Sequence, residues 1–352
     1  MTVEPGSGSG HSAPPVEVRG LVKRYGQLTA VAGVDLTVNP GDVYGYLGPN
    51  GAGKTTSLRM MLGLIRPTAG SVRLFGRDPM ESVHALDGVA GFVEAPTFYP
   101  YLSGRRNLEL LAAFDGHEAA TRIDHALETV ELSDRAGDRV GGYSHGMRQR
   151  LGIAGALLRD PKLMLLDEPA TGLDPAGMRD MRLLVRQLAD RGITVVLSSH
   201  QLAEVEELCN RVAIVQTGKL VYEGEIAALK RSAGATYRLS TTDDARALEV
   251  CRAQPGITDA RVERPDDPGE AHAGEALRAR RGPARICFAA DEAAVGELSQ
   301  ALVEAGALIR VLAPQTATLE DLFFSLTEGS DGADGRLPRV APEAAAPLES
   351  AR

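Results

Sequence analysis

The sequence predicts an α/β fold on a parallel core sheet, followed by a smaller α+β domain. Three observations carry this. A buried strand, Val43–Leu47, runs into a glycine-rich turn and then into a segment with Leu58, Met61, Leu62 and Ile65 at helical spacing. Two short apolar runs, Leu163–Leu166 and Ile193–Leu197, read as central parallel strands, with a helical pattern at Asp180–Ala189 between them. Beyond about residue 235 the pattern changes to strand, helix, strand, strand, helix, strand.

In chain order, residues 1–15 are Gly, Ser and Pro with almost no large apolar groups and are expected to be a disordered tail. Short alternations from Val16 to Val38 suggest an antiparallel β layer. The stretch from about 95 to 160 is mostly helical in pattern, with apolar faces over Asn107–Phe114 and Ile123–Val130. After Val212–Val215 the sequence QTGKLVYEG reads as a hairpin.

The last pattern assigns strands at Thr236–Leu239, Ile257–Val262, Ala284–Phe288 and Leu308–Leu312, with helices at Asp244–Ala253 and Glu292–Ala305. That βαββαβ order is the ferredoxin-like arrangement. Residues 264–282 are rich in Pro, Gly, Glu and Arg and read as a loose insertion, and residues 329–352 as a second disordered tail. The expected division is therefore a main domain over 16–230 and an accessory domain over 235–328.

Composition narrows the function classes. The chain has 352 residues, 43% apolar and 24% charged, which is a globular balance with room for one large and one smaller domain. Its 38 basic against 47 acidic side chains give a net charge of −9, which argues against general nucleic-acid binding and against holding anionic lipid by charge alone. Cys209, Cys251 and Cys287 are odd in number and widely spaced without C-x-x-C, so neither a disulfide framework nor a zinc site is expected, and a reducing compartment fits better. The N-terminus has neither a basic region nor an apolar core of a signal peptide. No run approaches the ~20 apolar residues of a membrane span, so work at a membrane requires a partner chain.

Two motifs carry chemistry. Gly48-Pro-Asn-Gly-Ala-Gly-Lys-Thr55 fits G-x-x-x-x-G-K-[ST] and lies between a strand and a helix, the context in which this motif binds phosphate. The glycines let successive N–H groups point at a β-phosphate, and the helix beginning near Lys54 adds its positive dipole end. Lys54 reaches the β- and γ-phosphates, and the Thr55 hydroxyl ligates Mg²⁺. Gly48, Asn50, Gly51, Ala52, Gly53, Lys54, Thr55 and Thr56 are the candidate phosphate-binding residues. The second motif is Asp167–Glu168 at the end of a buried strand, where open α/β sheets bind ligands. Asp167 would hold Mg²⁺ through water, and Glu168 would orient and deprotonate the attacking water. One acidic strand end often merely faces solvent. Beside the phosphate loop it becomes a strong signal.

A third sequence, Tyr143-Ser-His-Gly-Met-Arg-Gln-Arg150, stands just upstream of that carboxylate strand. It resembles the signature loop of ATP-binding cassette (ABC) ATPases, whose usual form is Leu-Ser-Gly-Gly-Gln. Tyr25 in KRYG, the GLD of Gly172–Asp174 and the LSSH ending at His200 fall in the family's order, and the resemblance covers residues 16–230.

The resemblance implies a P-loop ABC ATPase cassette with ATP and Mg²⁺ as cofactors. It implies that Tyr25 stacks on adenine, although such a Tyr near a β turn is otherwise a surface residue. Ser144 and Gly146 match the contacts to the γ-phosphate of ATP held by the other subunit, with the helix after Met147 pointing at that phosphate. Asp174 matches the loop that meets the opposite subunit, and it also suits an N-cap before Pro175. His200 matches the switch histidine that senses the γ-phosphate; without the resemblance it would read as structural.

Three positions depart from the usual form. His145 stands where glycine is common and Met147 where glutamine is common. Glu94, in GFVEAPTFYPYLSG, takes the position of a glutamine that contacts Mg²⁺, and a carboxylate there can still serve the metal. The Glu-containing form followed by FYP resembles the branch that exports bacitracin and lantibiotics, and TLEDLFFSLTEG is similar to the ends of drug-export ATPases of the daunorubicin type.

With one phosphate loop and one signature loop, the chain holds half of each of two sites. The resemblance thus implies a second ATPase subunit, a head-to-tail homodimer with a heterodimer as the alternative. It also implies a separate polytopic permease that brings the chain to the cytoplasmic face of the cell membrane. A soluble ABC ATPase of DNA repair or the ribosome is the competing reading, and an ATP-binding subunit without hydrolysis is a third. His272 and Cys287 are isolated and receive no role.

Overall fold

The computed structural model describes residues 13–232, 236–263, 285–315 and 318–328. Residues 1–12 of the first expected tail, the expected insertion 264–282 and the tail 329–352 lie outside the described residues.

The described chain opens on the strands β1 (Val16–Tyr25), β2 (Leu28–Val38) and β3 (Val43–Leu47), followed by α1 (Lys54–Met61), β4 (Ala69–Leu74) and β5 (Val89–Phe92). A helical stretch holds α2 (Gly104–Asp115), α3 (His117–Thr121), α4 (Ile123–Thr129) and α5 (His145–Leu157). Next come β6 (Leu163–Asp167), α6 (Pro175–Asp190), β7 (Thr194–Ser199), α7 (Leu202–Leu208), β8 (Arg211–Gln216), β9 (Lys219–Glu225) and α8 (Ile226–Ser232). The last elements are β10 (Thr236–Thr241), α9 (Asp244–Ala253), β11 (Thr258–Glu263), β12 (Arg285–Ala289), α10 (Glu292–Glu304), β13 (Ile309–Gln315) and α11 (Leu319–Glu328).

The central sheet has six strands in the order β5-β6-β7-β3-β8-β9. All its pairs are parallel except β8–β9, which form the expected hairpin at one edge. Every residue of β3, β6 and β7 is buried, which is why these strands read as apolar runs and not as alternations. Each sheet face covers a separate core. On one side Val16, Val18, Leu21 and Val72 of the antiparallel sheet β2-β1-β4 pack with Tyr44, Tyr46 and with Leu58, Met60 and Met61 of α1. On the other, Leu108, Leu127, Leu151 and Val185 bring α2, α4, α5 and α6 against Leu47, Met164, Leu166 and Val195. Burying each such Leu, Val or Met stabilises by ~1.5–3 kcal/mol, so the site at the strand ends rests on a rigid base.

The four-stranded sheet β11-β12-β10-β13 is antiparallel throughout. Leu239, Ile286 and Phe288 of the sheet pack against Ala247 and Cys251 of α9 and Leu298 and Leu302 of α10. α11 instead packs on α7 and α8, with Leu319 and Leu322 joining the main core. The Leu319 N–H donates to the Glu206 carboxylate at 2.7 Å, and Glu206 also pairs with Lys230. The three cysteines are buried and none is in a disulfide.

Two expectations need correction. α1 stops at Met61, and Gly63 at φ 68° turns the chain out of the helix, so Ile65 packs on the core from a loop although it keeps the helical spacing. α5 begins at His145, earlier than expected, because the Ser144 hydroxyl caps it by accepting from the Met147 N–H at 3.2 Å.

Candidate functional site

Three neighbouring strands build the site. β6, β7 and β3 lie side by side and parallel, and their carboxyl ends carry Asp167–Glu168, His200 and the glycine-rich loop. Parallel pairing places Asp167 beside Ser198, and Leu47 beside Ser199, at one edge of the sheet.

The loop needs glycine where the backbone crowds. A Cβ at Gly48 would fall 2.3 Å from the Val215 carbonyl oxygen, and one at Gly53, whose φ is 95°, would fall 2.3 Å from the Ala30 carbonyl oxygen. Pro49, Asn50 and Gly51 are exposed at the tip and Ala52 is buried beneath it. α1 starts at Lys54 and has no side-chain cap, whereas Ser103, Ser144 and Asp174 cap α2, α5 and α6. Its first N–H groups therefore suit an anion placed against the loop. Thr55 and Thr56 are half-buried in that first turn. The Lys54 side chain is only 5% exposed, and its ammonium donates to the Gly48 and Pro49 carbonyls at 2.8 and 3.3 Å. The loop is a backbone cradle of the kind that suits an anion, with a cation folded into it.

Across β7 stands the carboxylate pair. Asp167 is buried and accepts from the Ser198 hydroxyl, which in turn accepts from the Glu168 N–H at 2.9 Å. Glu168 leaves the strand at φ 46°, the left-handed region that a side chain rarely adopts. Oε1 of Glu168 is 3.3 Å from the Lys54 ammonium; Oε2 accepts from the Thr171 hydroxyl at 2.7 Å and lies 2.9 Å from Nδ1 of His200. Burial pushes this carboxyl up, but the Thr171 hydroxyl, the Lys54 ammonium and the His200 imidazole outweigh it and hold it below its usual range. The arrangement keeps an ionised, oriented carboxylate beside the glycine-rich loop.

The structure thus brings Lys54, Glu168 and His200 together, with Asp167 behind them. Tyr25 ends β1, is 48% exposed, and has the Lys23 ammonium 5.1 Å from its ring centroid. Ser144 and Gly146 sit at the start of α5, where Leu173 would lie 3.5 Å from a Cβ on Gly146. Glu94, at φ 73°, pairs with Arg59 on α1, one turn beyond Thr55, so the carboxylate expected at a metal is engaged by a guanidinium here. Asp174 caps α6 by accepting from the Gly177 N–H at 2.8 Å.

Sequence reasoning missed Thr171 and Ser198, which hold the two carboxylates. The available signals were local: Thr171 lies one turn after Glu168, and Ser198 precedes His200 by two places on a strand parallel to the carboxylate strand.

Among the described residues no group of His, Cys, Asp and Glu forms a metal cluster by itself. The hard oxygen donors Thr55 and Asp167 nevertheless fit a Mg²⁺ that phosphate oxygens help to hold. Among the described residues no helix is long and apolar enough to cross a membrane.

Residues 31–171 match a family profile described as ABC transporter. The chain is 35% identical over 316 residues to the bacitracin transport ATP-binding protein BcrA of Enterococcus faecalis, covering 89% of this chain and 96% of that one. It is 35% identical over 322 residues to the daunorubicin/doxorubicin resistance ATP-binding protein DrrA of Streptomyces peucetius, covering 89% and 92%. A solved ATP-binding subunit of an ABC transporter matches with a TM-score of 0.56 at 27% identity, covering 62% of this chain and 92% of that one.

Proposed function

Because this chain belongs to the ABC transporter family, as an ATP-binding subunit that hydrolyses ATP, we propose that it powers the export of a peptide antibiotic or drug through a separate membrane permease. Two relatives matched over nearly their whole length are named for bacitracin transport and daunorubicin resistance, which favours export over a soluble repair or ribosomal role. The observation that carries the ATPase reading at this site is Glu168 held between Lys54, Thr171 and His200.

In this reading the loop Gly48–Gly53 and the first turn of α1 bind the phosphates of ATP, with Asn50, Gly51, Ala52, Thr55 and Thr56 along its wall. Lys54 moves from the Gly48 carbonyl to the β- and γ-phosphates. Glu168 takes the proton of the attacking water, while His200 holds the carboxylate and meets the γ-phosphate side. Thr55 and Asp167 would hold Mg²⁺, which when bound supplies positive charge to the phosphates; Glu94 joins them only after leaving Arg59. Tyr25 offers its exposed ring to adenine.

A single loop and a single signature leave each site half built, so two cassettes close head to tail, each presenting Ser144 and Gly146 to the other's ATP. Closure and reopening would drive the permease at the cytoplasmic face of the membrane. Residues 16–230 form the ATPase unit in this scheme, and residues 235–328 an accessory unit tied to it through α11.

The test is affinity purification from gently solubilised host membranes. A co-purifying protein with several apolar spans of ~20 residues supports the reading. Recovery only from the soluble fraction, with ribosomal or repair proteins, overturns it.

A further inference from the structure

The start of α5 and the carboxylate of Glu168 are joined within one chain by two hydrogen bonds. Nε2 of His145 lies 3.1 Å from the Thr171 carbonyl oxygen. A carbonyl can only accept, so Nε2 carries the proton and donates. The Thr171 hydroxyl donates in turn to Oε2 of Glu168 at 2.7 Å, and the Thr171 N–H donates to the Glu168 carbonyl at 3.1 Å. The imidazole lies directly over this turn: a Cβ on Gly172, where φ is 76°, would sit 3.5 Å from Nε2. The turn between Glu168 and α6 is therefore held at Thr171 by both residues, Glu168 at the hydroxyl and N–H and His145 at the carbonyl. A glycine at position 145 has no side chain with which to do this.

We propose that His145 is a positioning residue for hydrolysis, acting through Thr171 on Glu168. It anchors the Thr171 turn to the first turn of α5, and so fixes the hydroxyl that aims the Glu168 carboxylate. The inference rests on Glu168 being the hydrolytic base. Its consequence is a mechanical link. α5 is the element proposed to meet the ATP held by the partner cassette, while Glu168 serves the ATP held by this one. A shift of α5 is passed through His145 and Thr171 to the base of the same chain.

The test uses the full chain and MgATP, with turnover and equilibrium nucleotide binding measured separately for His145→Ala, His145→Gln, Thr171→Val and the double variant His145→Ala/Thr171→Val. Loss of one neutral hydrogen bond that orients a base predicts a kcat lowered about 3- to 10-fold in His145→Ala, with ATP affinity unchanged. His145→Gln keeps an N–H donor and recovers at least part of the loss. Because both residues act along one line, the double variant falls no lower than the worse single variant.

An unchanged kcat in His145→Ala overturns the proposal. So does a loss that appears in nucleotide affinity alone, or effects of the two substitutions that multiply, since those place His145 directly on nucleotide or on another path. Glu168→Gln, assayed alongside, separates the two levels. If it still turns over normally, the base assignment itself is wrong. If it is inactive while His145→Ala is unaffected, only the link fails.

Discussion

The Lys54 ammonium and the Glu168 carboxylate stand 3.3 Å apart, although one follows β3 and the other β6, with β7 between those strands. The pair forms because both strands end at the same edge of one parallel sheet. It also gives the buried Lys54 cation a carboxylate counter-charge inside the fold.

Lys54→Ala removes that cation from the cradle. Charge-assisted hydrogen bonds contribute about 1.5–3 kcal/mol each, so the ATP dissociation constant is expected to rise roughly 10- to 100-fold. Titration with a fluorescent ATP analogue measures it; unchanged affinity would remove Lys54 from the site.

The depressed Glu168 carboxyl has a pH consequence. Its folded-state proton affinity is lowered, so the ionised form contributes stability above the unfolded glutamate range, and that contribution is lost as pH falls through the lower folded value. The carboxylate thus stays ionised to pH values below the usual glutamate range. Thr171→Val deletes a hydrogen bond that favours the carboxylate, so the acid limb of the kcat profile should move to higher pH. An acid limb at the same pH in wild type and variant contradicts the assignment.

Asp174→Ala tests the frame behind the site. Its carboxylate caps α6 by accepting from Gly177 N–H at 2.8 Å, and loss of such a cap costs about 1 kcal/mol. Urea denaturation should show a lower midpoint with an unchanged slope; an unaltered midpoint would mean that water replaces the cap without loss.

The sequence patterns located the elements that carry chemistry better than those that merely connect. β3, β6 and β7 are buried on both faces, so their apolar runs are unambiguous. β5 is four residues long and contains Gly91, while β4 begins at Ala69–Gly70, with Gly70 at φ 78°; neither shows an alternation long enough to read. The overrun of α1 has a different cause, because burial of Leu62 and Ile65 continues the spacing after the helical backbone has ended. At the site, Lys54 and the Asp167–Glu168 pair were legible because few other residue patterns do their chemistry. Thr171 and Ser198 were not, since a hydroxyl is common in loops and strand ends and only the fold shows which carboxylate it meets. Glu94 was read from its place in the sequence, but its carboxylate meets Arg59, a neighbour that sequence spacing does not reveal.

The most direct test of Glu168 as the hydrolytic base is Glu168→Gln, followed by phosphate release and by size-exclusion chromatography with ATP. The substitution preserves shape and the Thr171 contact but removes the proton acceptor, which general-base catalysis values at about 10²- to 10⁴-fold. With Glu168 as the base, turnover falls on that scale and an ATP-dependent dimer persists. Turnover near the wild-type rate, with no trapped dimer, would contradict it.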